Sequence, residues 1–312
     1  MNDPAALLPV LVAPRPGHDL DRLKRLLLAG ISAPNSRRAY ARALTDFVEW
    51  YIREPRGPFS KLVVEEYRTH LATLSLAPST INVRLSAIRK LASQAAEAGL
   101  LSNDLAIGIR NLKGARKLGI RAGNWLTKEQ ASQLLHAPDT GALKGKRDRA
   151  LLAMLLGCGL RRDELAHLTF DTVQQRDGRW VLPDLVGKGG RIRTVPLPAW
   201  VKCAIDEWAS AAGLTEGRVF RPINKSGHMW GQGITAKVIW WVVLRYAKQV
   251  GISKLAPHDL RRTCAKLCRA AGGDLEQIQL LLGHASIQTT EQYLGTKQNL
   301  LEAVNDRLGL EL

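Results

Sequence analysis

Twelve residues near the middle of the chain, 113–124, interrupt every hydrophobic period around them, with glycines alternating with Lys113, Arg116, Lys117 and Arg121. Such a run has neither the apolar stripe of a helix nor the alternation of a strand, so it reads as a basic, flexible linker. It divides the sequence into a first block of 34–112 and a second of 125–312, with residues 1–33 as an amino-terminal extension. A chain of 312 residues is long for one core, and the break supplies the expected boundary.

The first block reads as helices alone. Residues 34–54 place Tyr40, Leu44, Phe47, Val48 and Tyr51 at helical spacing behind Asn35 or Ser36 as a cap. Residues 60–74 repeat the pattern through Val63, Val64, Tyr67 and Leu71. Ser79 is placed to cap a further helix with Ile81, Leu85, Ile88 and Ala92 or Ala95 inward and Arg84, Arg89 and Lys90 largely outward. Ser102 to Ile109 adds a fourth, which makes a small helical bundle. In the second block Thr127 opens a new helix, and a mostly helical domain runs on from there. Two alternating runs break it, Arg179 to Leu185 and Arg191 to Leu197, joined through Gly187-Lys188-Gly189-Gly190 as a hairpin.

Charge narrows the partner. The 45 Lys and Arg exceed the 28 Asp and Glu by 17, an excess that attracts a polyanion through counterion release and long-range steering. A hydrophobic share of 46% supports a real core rather than disorder. An anionic membrane surface is the rival to nucleic acid, but no apolar stretch approaches the roughly 20 residues of a spanning helix. Ala5 to Ala13 is apolar without a basic region before it, and it reads as a short leader or packing segment rather than a secretion signal. Cys158, Cys203, Cys264 and Cys268 read as buried free thiols in a reducing, cytosolic compartment; without a Cys-x-x-Cys pair, a zinc site has little support. The G-x-x-x-x-G-K-[ST] phosphate loop is absent, so nucleotide hydrolysis has none.

Chemistry concentrates in four places. A helix starting near Pro257 carries His258-Asp259-Leu260-Arg261, with His258 and Arg261 on one face. Leu282-Gly283-His284 follows, then Tyr293 nine residues on. Upstream lie Gly159-Leu160-Arg161-Arg162-Asp163-Glu164-Leu165 and the Lys188 turn. Guanidinium groups fit phosphate oxygens at any working pH, imidazoles shuttle protons near neutrality, and a phenol can store a broken phosphodiester as a phosphotyrosine. A free phenol is only about 0.1% ionised at pH 7, so the attack needs cationic surroundings or a base. Residue chemistry alone does not separate Arg161 from Arg162, nor Arg261 from Arg262.

These motifs resemble the catalytic set of the tyrosine recombinases, the phage-integrase family of site-specific DNA recombinases. G-L-R-x-x-E-L then selects Arg161, and H-x-L-R selects Arg261. The resemblance implies a helical, SAM-like core-binding domain before a mixed α/β catalytic domain, mainly α with a small β-hairpin or sheet. It implies Tyr293 as nucleophile, Lys188 as acid to the leaving 5′ oxygen, His258 as acid/base, His284 on a non-bridging oxygen, and Glu164 steadying Arg161. No metal or other cofactor is implied. The partner implied is double-stranded DNA, clasped by a C-shaped clamp, with Arg37, Arg38, Arg84, Arg89, Lys113, Arg116, Lys117 and Arg121 as candidate contacts. A homotetramer on two sites would pass through a Holliday junction, with the stripe Leu300, Leu301, Val304, Leu308 and Leu310 available for tail exchange between protomers. A bacterial or phage-encoded, cytoplasmic, nucleoid-associated protein is expected. Residues 1–33 look too short for a separate arm-binding domain, which favours the simpler Xer-like arrangement. The alternatives are a type IB topoisomerase-like relaxing enzyme, a DNA-binding regulator that does not cut, and a polyanion or membrane-surface adaptor.

Overall fold

A computed structural model describes residues 18–116, 124–187 and 190–295. It forms two compact units, Met1–Ile120 and Arg121–Leu312. The first is a helical bundle of α1 (His18–Ala29), α2 (Pro34–Arg53), α3 (Lys61–Thr73), α4 (Pro78–Glu97) and α5 (Asn103–Arg110). Helix α1 lies in the amino-terminal extension, where no helix was expected. Its Leu23 and Leu27, with Ile31 beyond its end, close over Ala43 and Leu44 of α2 and Ala87, Leu91 and Ala95 of α4. A second cluster joins α2 to α3, α4 and α5 around Phe47, Tyr67, Leu85 and Ile88, all essentially inaccessible. The Phe47 and Tyr67 rings meet edge to face at 5.1 Å.

The starts of α2 and α4 differ from the sequence expectation. Neither Asn35, Ser36 nor Ser79 caps a helix, because Pro34 and Pro78 occupy the first helical positions and leave Ala33 and Ala77 as caps without side-chain acceptors. At the first helical position the N–H that proline lacks would have no partner within the helix, and its fixed φ suits the first turn. Ser102, by contrast, caps α5 through the Leu105 amide. Arg84 and Arg89 also depart from the outward placement. Arg84 is half-buried and pairs with Asp46 at 2.7 Å, and Arg89 donates to the Leu112 carbonyl. Residues just after α5 are held down: Arg68 donates to the Lys113 carbonyl at 2.9 Å, and the Asn82 amide exchanges two hydrogen bonds with Ala115.

The second unit is built on α7 (Leu143–Gly157), preceded by α6 (Lys128–His136). Every residue from Ala150 to Leu156 is buried, so the second half of α7 is apolar all round and forms the centre of the domain. Helix α6 begins at a capping box between Thr127 and Gln130, as its sequence foretells. After α7 come α8 (Arg162–His167), a 3₁₀ turn at Phe170–Thr172, and an antiparallel sheet of β1 (Gln174–Arg176), β2 (Arg179–Val186) and β3 (Ile192–Pro196) in that order. Strand β1 extends the expected hairpin by one short strand. A bulge between Leu182 and Leu185 shifts the register, with Asp184 at φ +51°, so that Leu185 faces Arg193 and Leu182 faces Val195. Helices α9 (Ala199–Ala212), α10 (Ala236–Gln249), α11 (Pro257–Ala270), α12 (Leu275–Leu282) and α13 (Ile287–Leu294) complete the domain. Trp208 of α9 is fully buried and donates its indole N–H to the Val219 carbonyl at 2.8 Å.

Among the described residues no helix is long and apolar enough to cross a membrane. All four cysteines are free thiols, but they are not all buried: Cys203 faces solvent from α9 and Cys268 is half-buried.

Candidate active site

The site forms where the end of α7, the start of α11 and the loop after α12 meet. Gly159 turns the chain out of α7 at φ +58°, a conformation that costs glycine little, and a Cβ there would come within 3.1 Å of Leu282. That close approach lets one side chain fasten three segments. Arg261, only 1% exposed, reaches from the first turns of α11 to donate to the carbonyls of Gly159 and Leu282. Burial, with the Arg161 and Arg193 guanidinium groups nearby, brings its pKa down to about 10, still well above any working pH.

Arg161 stands immediately before α8, where Glu164 closes a reciprocal turn. One Glu164 oxygen accepts from the Arg161 amide at 2.8 Å and the other from its guanidinium at 2.7 Å. Arg193 then grips the same carboxylate with both terminal nitrogens, at 3.0 and 2.8 Å. Burial alone would raise the Glu164 pKa; the hydrogen bonds from Arg193 and Arg161 outweigh it and hold the carboxyl at about 2. It is therefore an anion set between two cations, while Arg161 keeps part of its surface open.

His284 is placed by a helix stop. Gly283 adopts φ +61° and the His284 amide bonds back to the Gln279 carbonyl, closing the end of α12. Its Nδ1 lies 3.0 Å from the hydroxyl of Thr290, a fully buried residue of α13, so the ring is oriented and Nε2 is left for a ligand. Burial first, then Arg261 and Arg161, bring the His284 pKa down to about 4. His258, at the start of α11, is lowered by burial and by Arg262 and Arg261. Both imidazoles are therefore neutral at pH 7 in the free protein.

Tyr293 lies on α13 between these two rings, edge to face with His258 at 5.4 Å and with His284 at 5.1 Å. The Arg262 guanidinium sits over its face at 4.7 Å, and its hydroxyl donates to the His258 carbonyl at 3.2 Å. Burial pushes the phenol up to about 12, opposed by the charges of Arg261 and Arg262. A phosphodiester entering here would meet a phenol, two imidazoles and fixed cations.

Of the residues singled out from sequence, Arg161, Glu164, His258, Arg261, His284 and Tyr293 converge in one site. Lys188, Lys117, Arg121 and the stripe from Leu300 to Leu310 lie outside the described residues. Arg37 is exposed and donates to the Ile31 carbonyl, Arg38 is exposed beside Asn35, and Lys113 and Arg116 are exposed. Three participants were missed. Arg193 follows from period two: Arg193 and Val195 share a face of β3, so an arginine points into the core and needs an anion. Arg262 entered only as the rival of Arg261, and Thr290 carried no signal beyond its helical spacing to Tyr293. Among the described residues no group of three or more His, Cys, Asp or Glu is arranged around a metal position.

A catalytic-type constellation of arginines, histidines and a tyrosine, carried by a helical domain with one small antiparallel sheet, belongs to DNA strand-exchange chemistry. The phage integrase family model matches residues 124–299, more than half of the chain, and the chain belongs to that family. It is a tyrosine recombinase, an enzyme of site-specific DNA recombination. The tyrosine recombinase XerD of Vibrio cholerae is 30% identical over 270 residues, covering 84% of this chain and 85% of that relative. Among solved structures, the XerH recombinase bound to palindromic difH substrate in a post-cleavage complex superposes with a TM-score of 0.66 at 21% identity, covering 89% of this chain and 82% of that one. A lambda integrase dimer bound to a COC′ core site gives 0.67 at 16% identity, covering 88% and 75%. These two likenesses are of fold.

Proposed function

We propose that Tyr293 is the nucleophile that breaks and reseals one DNA strand at a time. Its phenolic oxygen attacks the phosphorus, the bond to the 5′ oxygen breaks, and a 3′-phosphotyrosine and a free 5′-hydroxyl remain. The phenolic proton passes to the neutral His258 imidazole, and Lys188 gives a proton to the departing oxygen. Arg161 and Arg261 neutralise the phosphoryl oxygens, His284 donates to one of them, and Glu164 keeps Arg161 in place. Attack by a partner strand's 5′-hydroxyl reverses the step, so the bond energy is conserved and no nucleotide is consumed. The observation that carries this reading is the Tyr293 ring held between His258 and His284 under Arg262, within a site fastened by Arg261.

The helical block of residues 34–112 then acts as the core-binding domain and residues 125–312 as the catalytic domain. Arg37, Arg38, Lys113, Arg116, Lys117 and Arg121 fall on backbone phosphates, which position the protein without reading sequence. Four protomers on two duplex sites would pass through a Holliday junction, and the mass of the DNA-bound assembly measures that number. The setting is the cytoplasm, on nucleoid DNA.

The test uses a nicked duplex carrying the sequence recovered from DNA that the protein captures covalently in cells. The unaltered chain should leave a detergent-resistant protein–DNA adduct. Tyr293→Phe should bind the duplex as well and leave none, since only the attacking oxygen is gone. An adduct formed by that variant refutes the assignment.

A further inference from the structure

The geometry points to Arg193 as a positioning residue for strand cleavage: it holds Glu164 against Arg161 and ties the turn that presents His284 to strand β3. This assignment rests on the reading of the site given above and deepens it.

Arg193 is the second residue of β3, with its side chain turned inward and only 6% exposed. A charged side chain at such a depth is tolerated only when paired and hydrogen-bonded. Its terminal nitrogens clasp both oxygens of Glu164, and its Nε donates to the Leu281 carbonyl at 3.0 Å. The Leu281 carbonyl belongs to the last turn of α12, where backbone acceptors lack partners within the helix and a cation is favoured. Arg261 takes the next carbonyl, that of Leu282. Two arginines from different elements thus hold consecutive carbonyls just before Gly283 and His284.

The fit on either side is close. A Cβ at Gly283 would lie 2.8 Å from Cδ of Arg193. At Gly187, the residue before Lys188, a Cβ would lie 2.9 Å from the Arg161 guanidinium and 3.1 Å from that of Arg193. Both glycines leave room for the arginine stem and fork. The hydrogen bonds of Arg193 go to Glu164 and to the Leu281 carbonyl, so its influence runs through Arg161 and the His284 turn. Lysine is no substitute: one ammonium lacks the planar fork that spans two carboxylate oxygens and a carbonyl together.

The experiment measures single-turnover cleavage of the nicked duplex at saturating protein for the full chain with Arg193→Lys, Arg193→Met, Glu164→Gln, and the Arg193→Met/Glu164→Gln pair. Duplex affinity and thermal unfolding are recorded alongside. Arg193→Lys should bind DNA with unaltered affinity yet cleave about tenfold or more slowly, as expected when a reacting group is displaced by a fraction of an ångström. Because Arg193 acts through Glu164, the paired variant should be no more than about threefold slower than the slower single one, a strong departure from additivity. Cleavage at the unaltered rate by Arg193→Lys overturns the assignment, as do multiplied losses in the pair. An Arg193→Lys chain that does not fold also overturns it, by showing a purely structural role. Tyr293→Phe run in parallel separates the two readings: an adduct there sinks the nucleophile, whereas its absence beside full activity in Arg193→Lys sinks only the positioning role.

Discussion

Replacing Glu164 by glutamine perturbs stability in a way that pH can isolate. The carboxylate accepts four hydrogen bonds from Arg161 and Arg193, and only 6% of its side chain is exposed. Its pKa falls from an ordinary 4.5 to about 2. Each tenfold change in proton affinity is worth about 1.4 kcal/mol, so the native pairing contributes about 3 kcal/mol at neutral pH. An independent estimate agrees: removing one partner of a buried ion pair costs about 3–5 kcal/mol, because the remaining charge is left without compensation. A carboxyl whose native pKa is depressed stabilises the fold above its unfolded value, and that contribution is lost as pH falls from 4.5 toward 2. Denaturant unfolding of both proteins at pH 7 and pH 3 tests this. The difference between them should be about 3 kcal/mol at pH 7 and roughly half that at pH 3. Many other carboxyls titrate over this range, but they do so in both proteins and cancel. A gap that is the same at both pH values would show that the carboxylate's charge is not what Arg161 and Arg193 respond to.

Two further outcomes follow from the site. Arg261→Ala should slow cleavage by about a hundredfold or more, the usual scale for one lost transition-state donor, in single-turnover assays of the nicked duplex. It should also lower the unfolding temperature, because the carbonyls of Gly159 and Leu282 lose their donor; a normal rate would shift the role to Arg262. Binding should strengthen as pH falls from about 6.5 toward 4, since His284 titrates near 4 in the free protein and a neighbouring phosphate raises that value, so the complex takes up protons. Titrating duplex affinity against pH in His284→Gln should flatten this dependence, and an unchanged slope in that variant contradicts it.

The helical elements were largely legible because their hydrophobic spacing is local and strong. Tyr67, Leu85 and Ile88 announce their inward faces by period alone, and the capping box at Thr127 marks a helix start within four residues. The caps at Asn35, Ser36 and Ser79 failed because a proline one or two residues earlier had already begun each helix. Arg84 and Arg89 were misplaced for a different reason. A long basic side chain can lay its stem along the bundle and send its head to Asp46 or the Leu112 carbonyl, and the helical wheel does not register this.

Residue types and their spacing along the chain determined which chemistry was available: a phenol, imidazoles and guanidinium groups in motifs that match one family. They also determined that helices would dominate around one short hairpin, because periodicity is written into consecutive residues. Only tertiary structure decided that Arg261 fastens the Gly159 and Leu282 carbonyls while Arg262 covers the Tyr293 ring. The two are adjacent and chemically identical, so their roles differ solely through the 100° turn between neighbours on a helix and through what each face meets. The partnership of Arg193 with Glu164 likewise joins residues 29 positions apart on a strand and a helix. No local pattern encodes it, since it exists only once β3 packs beside α8.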